Sequence, residues 1–125
     1  MRSNKSSGTL PEVLVRRAFR EAGFPGYRAN WATAPGKPDI AYPGRGIAVF
    51  VHGCFWHACP TCAKKVPAKN SAFWRAKLEK NQNRDMSTRE ELARLGWSVY
   101  VIWECEAKRD ASSAIAEVAR ALRRN

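Results

Sequence analysis

The chain has two histidines, His52 and His57, and both fall in one seven-residue run, Val51-His52-Gly53-Cys54-Phe55-Trp56-His57. A lone histidine is more often a satisfied structural residue than a catalyst. An imidazole takes or gives a proton near neutral pH, so placing both in one segment marks it as a candidate catalytic segment. Asp39, in Gly36-Lys37-Pro38-Asp39-Ile40, is the nearest carboxylate upstream that could join them. It reads either as a turn aspartate or as the metal-holding carboxylate of a nuclease. In the second case a Pro-Asp pair precedes a buried strand whose end carries polar groups, and the carboxylate binds Mg²⁺ to polarise a phosphate. The common form of that motif adds a Glu and a Lys near the positions of Phe50 and His52. Neither is present here, so a variant of the motif is required.

Cys54, Cys59 and Cys62 lie within nine residues, and Cys105 stands far downstream. In a chain without secretory features such a cluster reads as a metal site before it reads as disulfides. Four thiolates satisfy tetrahedral zinc and leave no open coordination position, which makes the expected role structural. Three alternatives stand beside it: buried free thiols, a redox pair at Cys59-Pro60-Thr61-Cys62, or His57 replacing one thiolate as ligand.

Several elements must position these groups. Thr9-Leu10-Pro11-Glu12 reads as a helix start, with Thr9 as cap, Glu12 returning the bond and Pro11 in the first turn. Leu10, Leu14, Phe19 and Ala22 give that helix an apolar face, with Arg16, Arg17 and Arg20 elsewhere on the cylinder, and Gly23 stops it. A short strand is expected from Tyr27 to Trp31. Strands at Asp39 to Tyr42 and Ile47 to His52 flank Pro43-Gly44-Arg45-Gly46 and predict an antiparallel hairpin. Ile47-Ala48-Val49-Phe50-Val51 is apolar throughout and predicts a central strand buried on both faces. Residues 53 to 68 hold too many Cys, Pro and Gly for regular structure. A helical pattern runs from Ser71 to Leu95, with Phe73, Trp74, Leu78, Leu92 and Leu95 apolar, an expected break near Met86-Ser87 and a stop at Gly96. Trp97 to Trp103 is a further strand, and Asp110 caps a last helix carrying Ile115, Val118 and Leu122. If the strands before Cys54 and before Cys105 are sheet neighbours, the four sulfurs can meet at one sheet end.

Composition sets the class. Lys and Arg number 22 against 11 Asp and Glu, a formal charge of +11, while 45% of the residues are apolar. This is a folding chain of one domain's size with a polyanionic partner, most often nucleic acid. Residues 1 to 8 lack the apolar centre of a signal peptide, and no apolar run reaches the roughly 18 residues that span a membrane. Lys64, Lys65, Lys69, Arg75, Lys77, Lys80 and Arg84 form a basic stretch suited to phosphate contact.

These residues resemble the very short patch repair (Vsr) family of DNA mismatch endonucleases. The resemblance lies in Pro11-Glu12, Gly36-Lys37-Pro38-Asp39-Ile40, the run from Val51 to His57, Phe73-Trp74-x-x-Lys77-Leu78 and Asn81-x-x-Arg84-Asp85. Leu95-Gly96-Trp97-x-Val99-x-Val101-Ile102-Trp103-Glu104-Cys105 completes it. It implies an α/β, restriction-endonuclease-like fold of the PD-(D/E)xK type, a mixed sheet flanked by helices with a structural zinc site. Residues 1–8 would be a flexible arm and 9–125 a single endonuclease domain. The implied activity is a Mg²⁺-dependent nick of duplex DNA 5′ of the thymine in a T:G mismatch. By position, Asp39 looks like the Mg²⁺ carboxylate, with the Val51 backbone carbonyl as second ligand. His57 looks like the general base, and His52 with Glu12 the supporting pair. Cys54, Cys59, Cys62 and Cys105 would hold Zn²⁺. Phe55 and Trp56 look like a wedge inserted into the duplex, where unstacking costs least at a mismatch. Lys64, Lys65, Lys77, Asn81 and Arg84 would touch DNA.

Two departures accompany the match: Cys59 and Cys62 stand where some members offer a zinc-binding histidine, and the N-terminal arm is brief, with Met1 its single methionine. The expected setting is the bacterial cytoplasm, on the nucleoid, as a monomer on DNA with methyltransferase or mismatch-repair partners. Two other readings remain: a restriction or phage-defence nuclease of the same fold, and a zinc-stabilised DNA-binding module without catalysis. The second has no use for Asp39, His52 and His57 together.

Overall fold

The computed structural model describes residues 10–53 and 68–124. The arm 1–8 and the Thr9 cap lie outside the described residues, as do Cys54, Phe55, Trp56, His57, Cys59, Cys62, Lys64 and Lys65. Four strands form one mixed sheet in the order β1 (Arg28–Ala29), β2 (Ile40–Tyr42), β3 (Ile47–His52), β4 (Ser98–Trp103). The first two pairings are antiparallel, while β3 and β4 run parallel from Ile47 opposite Ser98 to His52 opposite Trp103. A parallel pair needs a long crossover, and helix α2 (Ser71–Arg94) lies within it. The β2–β3 connection is the expected tight one. A 3₁₀ turn at Pro43–Arg45 is closed by Gly46 at φ 66°, a left-handed conformation that glycine adopts without steric cost.

The apolar strand β3 is central and buried on both faces, as its composition requires. Ile47 and Val49 join a core with Val15, Phe19, Ile40, Ile102, Val118 and Leu122. Ala48 and Phe50 join a second core with Ala34 and Leu92, against which Trp31 and Trp97 pack. Helices α1 (Leu10–Glu21), α3 (Glu104–Ala114) and α4 (Ala116–Arg123) therefore cover one face, and α2 covers the other. Side chains alternate along a strand, so His52 shares the face of Ala48 and Phe50 and points toward α2. The end of β2 is held against α1 by Tyr42, whose ring meets Phe19 edge-on at 5.7 Å and whose hydroxyl donates to the Phe24 carbonyl at 2.8 Å.

Four expectations are corrected. The buried face of α1 is Glu12, Val15, Ala18 and Phe19, whereas Leu10 is 58% exposed; Arg16 is largely buried beside that face. A carboxylate can occupy that face because Arg16, one turn on, bonds Glu12 at 3.1 Å. The expected strand Tyr27 to Trp31 shrinks to Arg28–Ala29. The expected break at Met86-Ser87 is absent, since α2 runs unbroken for 24 residues. Its inward stripe is Ser71, Trp74, Leu78, Asn81, Asp85, Thr88 and Leu92, every other described α2 residue being exposed. The steps of three and four are those of one helix face; the period holds while its members turn polar, and Phe73 lies outside it, 59% exposed. Finally, Asp110 does cap a helix, accepting from the Ser113 amide at 3.3 Å and the Ser113 hydroxyl at 2.9 Å. A further helical stretch precedes it from Glu104, started by Glu106 accepting the Trp103 amide at 3.1 Å.

One contact seats α2 on the turn before β2. Gly36 has φ 76°, and a Cβ built there would lie 2.3 Å from Thr88 Cγ2. Gly36→Ala should therefore destabilise by about 1–3 kcal/mol. Thr88→Ser, which removes that methyl, should recover part of the loss in the double variant, measured by urea unfolding. Strict additivity of the two substitutions would show that the contact is not the cause.

Candidate active site

The start of an antiparallel strand lies beside the end of its partner, and parallel partners end together. Asp39 before β2, Val51 and His52 at the end of β3, and Cys105 just after β4 are therefore gathered at one sheet end. A cleft of about 390 Å³ opens there. Its walls come from both layers: Glu12 from α1, Asp39, Val51 and His52 from the sheet, and Arg84, Asp85, Thr88 and Arg89 from α2.

Asp39 is the electrostatic centre of the cleft. Its Oδ2 accepts the Val51 amide at 2.6 Å, which ties the carboxylate to the end of β3. Burial pushes its carboxyl up to about 7; the Val51 amide and Arg16 oppose the rise and Glu12 adds to it. The N–H and C=O of one strand residue point to the same side, so the Val51 carbonyl shares the side that Asp39 occupies. Glu12 is 4% exposed and bonded to Arg16, whose Nε is buried without a hydrogen-bond partner among the described residues. The His52 ring is held between Phe50 at 6.0 Å and Trp103 at 5.4 Å, and its Nδ1 stands 4.0 Å from Asp85 Oδ2.

A hard divalent cation fits this donor set. Among the described residues no three His, Cys, Asp or Glu side chains gather into a metal cage. Mg²⁺ does not need one, because it keeps several waters and takes one or two carboxylates plus substrate phosphate oxygens. A buried carboxyl raised toward neutrality is poised to exchange a proton for such a cation.

Of the residues singled out from sequence, Glu12, Asp39, Val51, His52 and Arg84 meet in the cleft. Asn81 is half-buried on the same inward stripe of α2, and Lys77 is exposed on that helix. Cys105 lies half-buried in the first turn of α3. Because β3 and β4 are parallel neighbours, the chain leaves the sheet toward Cys54 and toward Cys105 at the same end, which is the premise of the zinc expectation. His57, Phe55, Trp56, Lys64, Lys65, Cys54, Cys59 and Cys62 lie outside the described residues. Asp85, Arg16, Lys37, Thr88 and Arg89 received no site role from sequence. The available signal was the polar interruption of a continuing helical period, read as a break instead of as a face turned toward a site.

The profile described as "DNA mismatch endonuclease Vsr" matches residues 1–64. The "Type II nicking enzyme V.NaeI" of Lentzea aerocolonigenes is 38% identical over 122 residues, covering 94% of this chain and 72% of that protein. The "Type II nicking enzyme V.NmeAIP" of Neisseria meningitidis serogroup A is 42% identical over 106 residues, covering 85% and 75%. The "DNA mismatch endonuclease Vsr" of Escherichia coli K12 is 40% identical over 79 residues, covering 63% of this chain and 51% of that protein. With half of the chain under the profile and relatives matched over more than two thirds of their length, the protein belongs to the Vsr family of DNA endonucleases.

Proposed function

We propose that the protein nicks one strand of duplex DNA 5′ of the thymine in a T:G mismatch, with Mg²⁺ at the cleft and Zn²⁺ as a structural ion. The observation that carries this reading is the tie of Asp39 to Val51 inside a cleft that also contains Glu12, His52 and Asp85. Names of the relatives support it: several are nicking enzymes and one is a mismatch endonuclease.

Asp39 and the Val51 carbonyl would hold Mg²⁺, which when bound supplies positive charge to a phosphate oxygen and to the leaving oxygen. His57 takes the proton of the attacking water. Asp85 orients the His52 ring from α2, and Glu12, neutralised by Arg16, closes the α1 side. Phe55 and Trp56 wedge into the duplex where a mismatch has already weakened stacking. Lys64, Lys65, Lys77, Asn81 and Arg84 hold phosphates on either side. Cys54, Cys59, Cys62 and Cys105 close a four-thiolate zinc site that orders the chain between β3 and α2.

Asp39→Ala should abolish nicking while zinc content, read by atomic absorption, stays at the parent level; loss of zinc in that variant would refute the separation of the two sites. Linkage provides a second readout. A carboxyl near 3.8 when unfolded and about 7 when folded favours the fold while protonated. Its contribution is complete below the unfolded value and is lost as pH rises toward 7. In the metal-free protein, the melting temperature of wild type relative to Asp39→Asn should therefore fall between those two values, and Mg²⁺ should restore it. A constant difference across that window would count against a buried protonated Asp39.

On a panel of duplexes the T:G substrate should be nicked far faster than matched DNA, and Phe55→Ala or Trp56→Ala should erode that preference more than overall binding. Equal cutting of all duplexes by the wild-type protein would instead favour a restriction-type nuclease. Cys105→Ser should lower both bound zinc and melting temperature; an unchanged melting temperature would remove the structural-zinc reading.

A further inference from the structure

The mechanism above uses one cleft cation, Arg84, yet two more line the same cavity: Lys37 on the turn before Asp39, and Arg89 on α2. The Gly36–Thr88 contact joins those two walls, and Lys37 and Arg89 each follow it by one residue. Both line the cleft, Lys37 from the turn and Arg89 from α2. Among the described residues neither is paired with a carboxylate.

Lys37 also occupies an unfavourable backbone conformation. Its φ is 52°, in the left-handed region that side chains avoid, and it directly precedes Pro38, whose ring crowds helical conformations of the residue before it. Its amide donates to the Ala34 carbonyl at 3.1 Å, which holds the turn in that shape. Glycine would fit the position with less strain, so the lysine side chain has a use that offsets its local cost.

We propose that Lys37 and Arg89 form a two-cation clamp for one backbone phosphate adjacent to the scissile phosphate on the nicked strand. A lysine supplies a compact point charge and an arginine a planar fork, so together they fix one phosphate in position and orientation. The clamp sets the register of the strand in the cleft and reads no base. It rests on the DNA-nicking reading of the cleft and adds a subsite to it.

The test uses the full chain, a T:G duplex and equilibrium binding by fluorescence anisotropy across a salt series. Lys37→Gly should weaken binding about five- to tenfold and lower the log–log salt slope by about 0.9, the value of one phosphate contact. Its melting temperature should rise by a few degrees, because the strain is relieved. Arg89→Met, at an exposed helix position, should give the same binding loss at an unchanged melting temperature. Lys37→Arg should bind within about twofold of wild type. Replacing single phosphates of the nicked strand by neutral methylphosphonates then locates the contact. At one position next to the nick, the penalty of Lys37→Gly and of Arg89→Met should vanish. Full additivity at every phosphate, or an unaltered salt slope in both variants, overturns the clamp. If Lys37→Gly fails to fold, Arg89→Met decides alone by the same criteria. Binding is read independently of cleavage, so a wild-type protein that binds with these dependences but does not nick would sink the nuclease reading and leave the clamp standing.

Discussion

An antiparallel pair must end, and the next amide on the longer strand then needs an acceptor. In β3 that amide belongs to Val51, and Asp39 supplies the acceptor with its side chain. This one bond satisfies a backbone donor and fixes a carboxylate at the end of the sheet, where burial outweighs the lowering effect of the bond itself and pushes the carboxyl up to about 7. A buried carboxylate is stable only with a positive partner, whether proton or metal ion, and the rest of the cleft is built around that demand. Glu12 is the second carboxylate in this wall, and its own need is met by Arg16. Two acidic side chains can thus share a small volume without both demanding neutralisation from the same source.

The parallel pairing of β3 with β4 performs the complementary task. It brings His52 opposite Trp103 and aims the chain ends beyond both strands in one direction. The crossover this pairing requires places α2 over the face that His52 occupies, so a carboxylate from α2 can approach the imidazole. Fold topology and site chemistry are here the same fact, since a hairpin in place of the crossover would have left His52 without a covering helix. Membership in a family of DNA endonucleases accords with the charge excess and with cations on the cleft rim.

Much of this was legible in the residues. The hairpin around Pro43–Arg45, the central strand of unbroken apolar side chains and the stops at Gly23 and Gly96 follow from turn chemistry and periodicity, which act locally. His52 stands out because it shares one short run with His57, and Asp39 because its Pro-Asp pair precedes a buried strand whose end carries polar groups. What was missed depends on partners distant in sequence. The burial of Glu12 rather than Leu10 follows from which side of α1 meets Asp39, and nothing within α1 encodes that. Asn81, Asp85 and Thr88 continue a helical face with polar side chains, which looks like a loss of period to a reading that counts only hydrophobes. The helical turn from Glu104 is hidden because it follows the strand-like run ending at Trp103 with no turn residue between them.

Helix α2 enters the core through Leu92 alone among its fully buried residues, and Asp85 lies seven residues away. At about 1.5 Å per residue that is a lever of roughly 10 Å. A pivot of about 5° around Leu92 would carry Asp85 by close to 1 Å relative to His52, a displacement of the size that can cost catalysis about a hundredfold. Alignment of Asp85 with the imidazole therefore depends on a hydrophobic pin two turns away together with the Gly36–Thr88 seat, and if His52 serves the reaction, a methyl group gained or lost at Leu92 would be felt as chemistry.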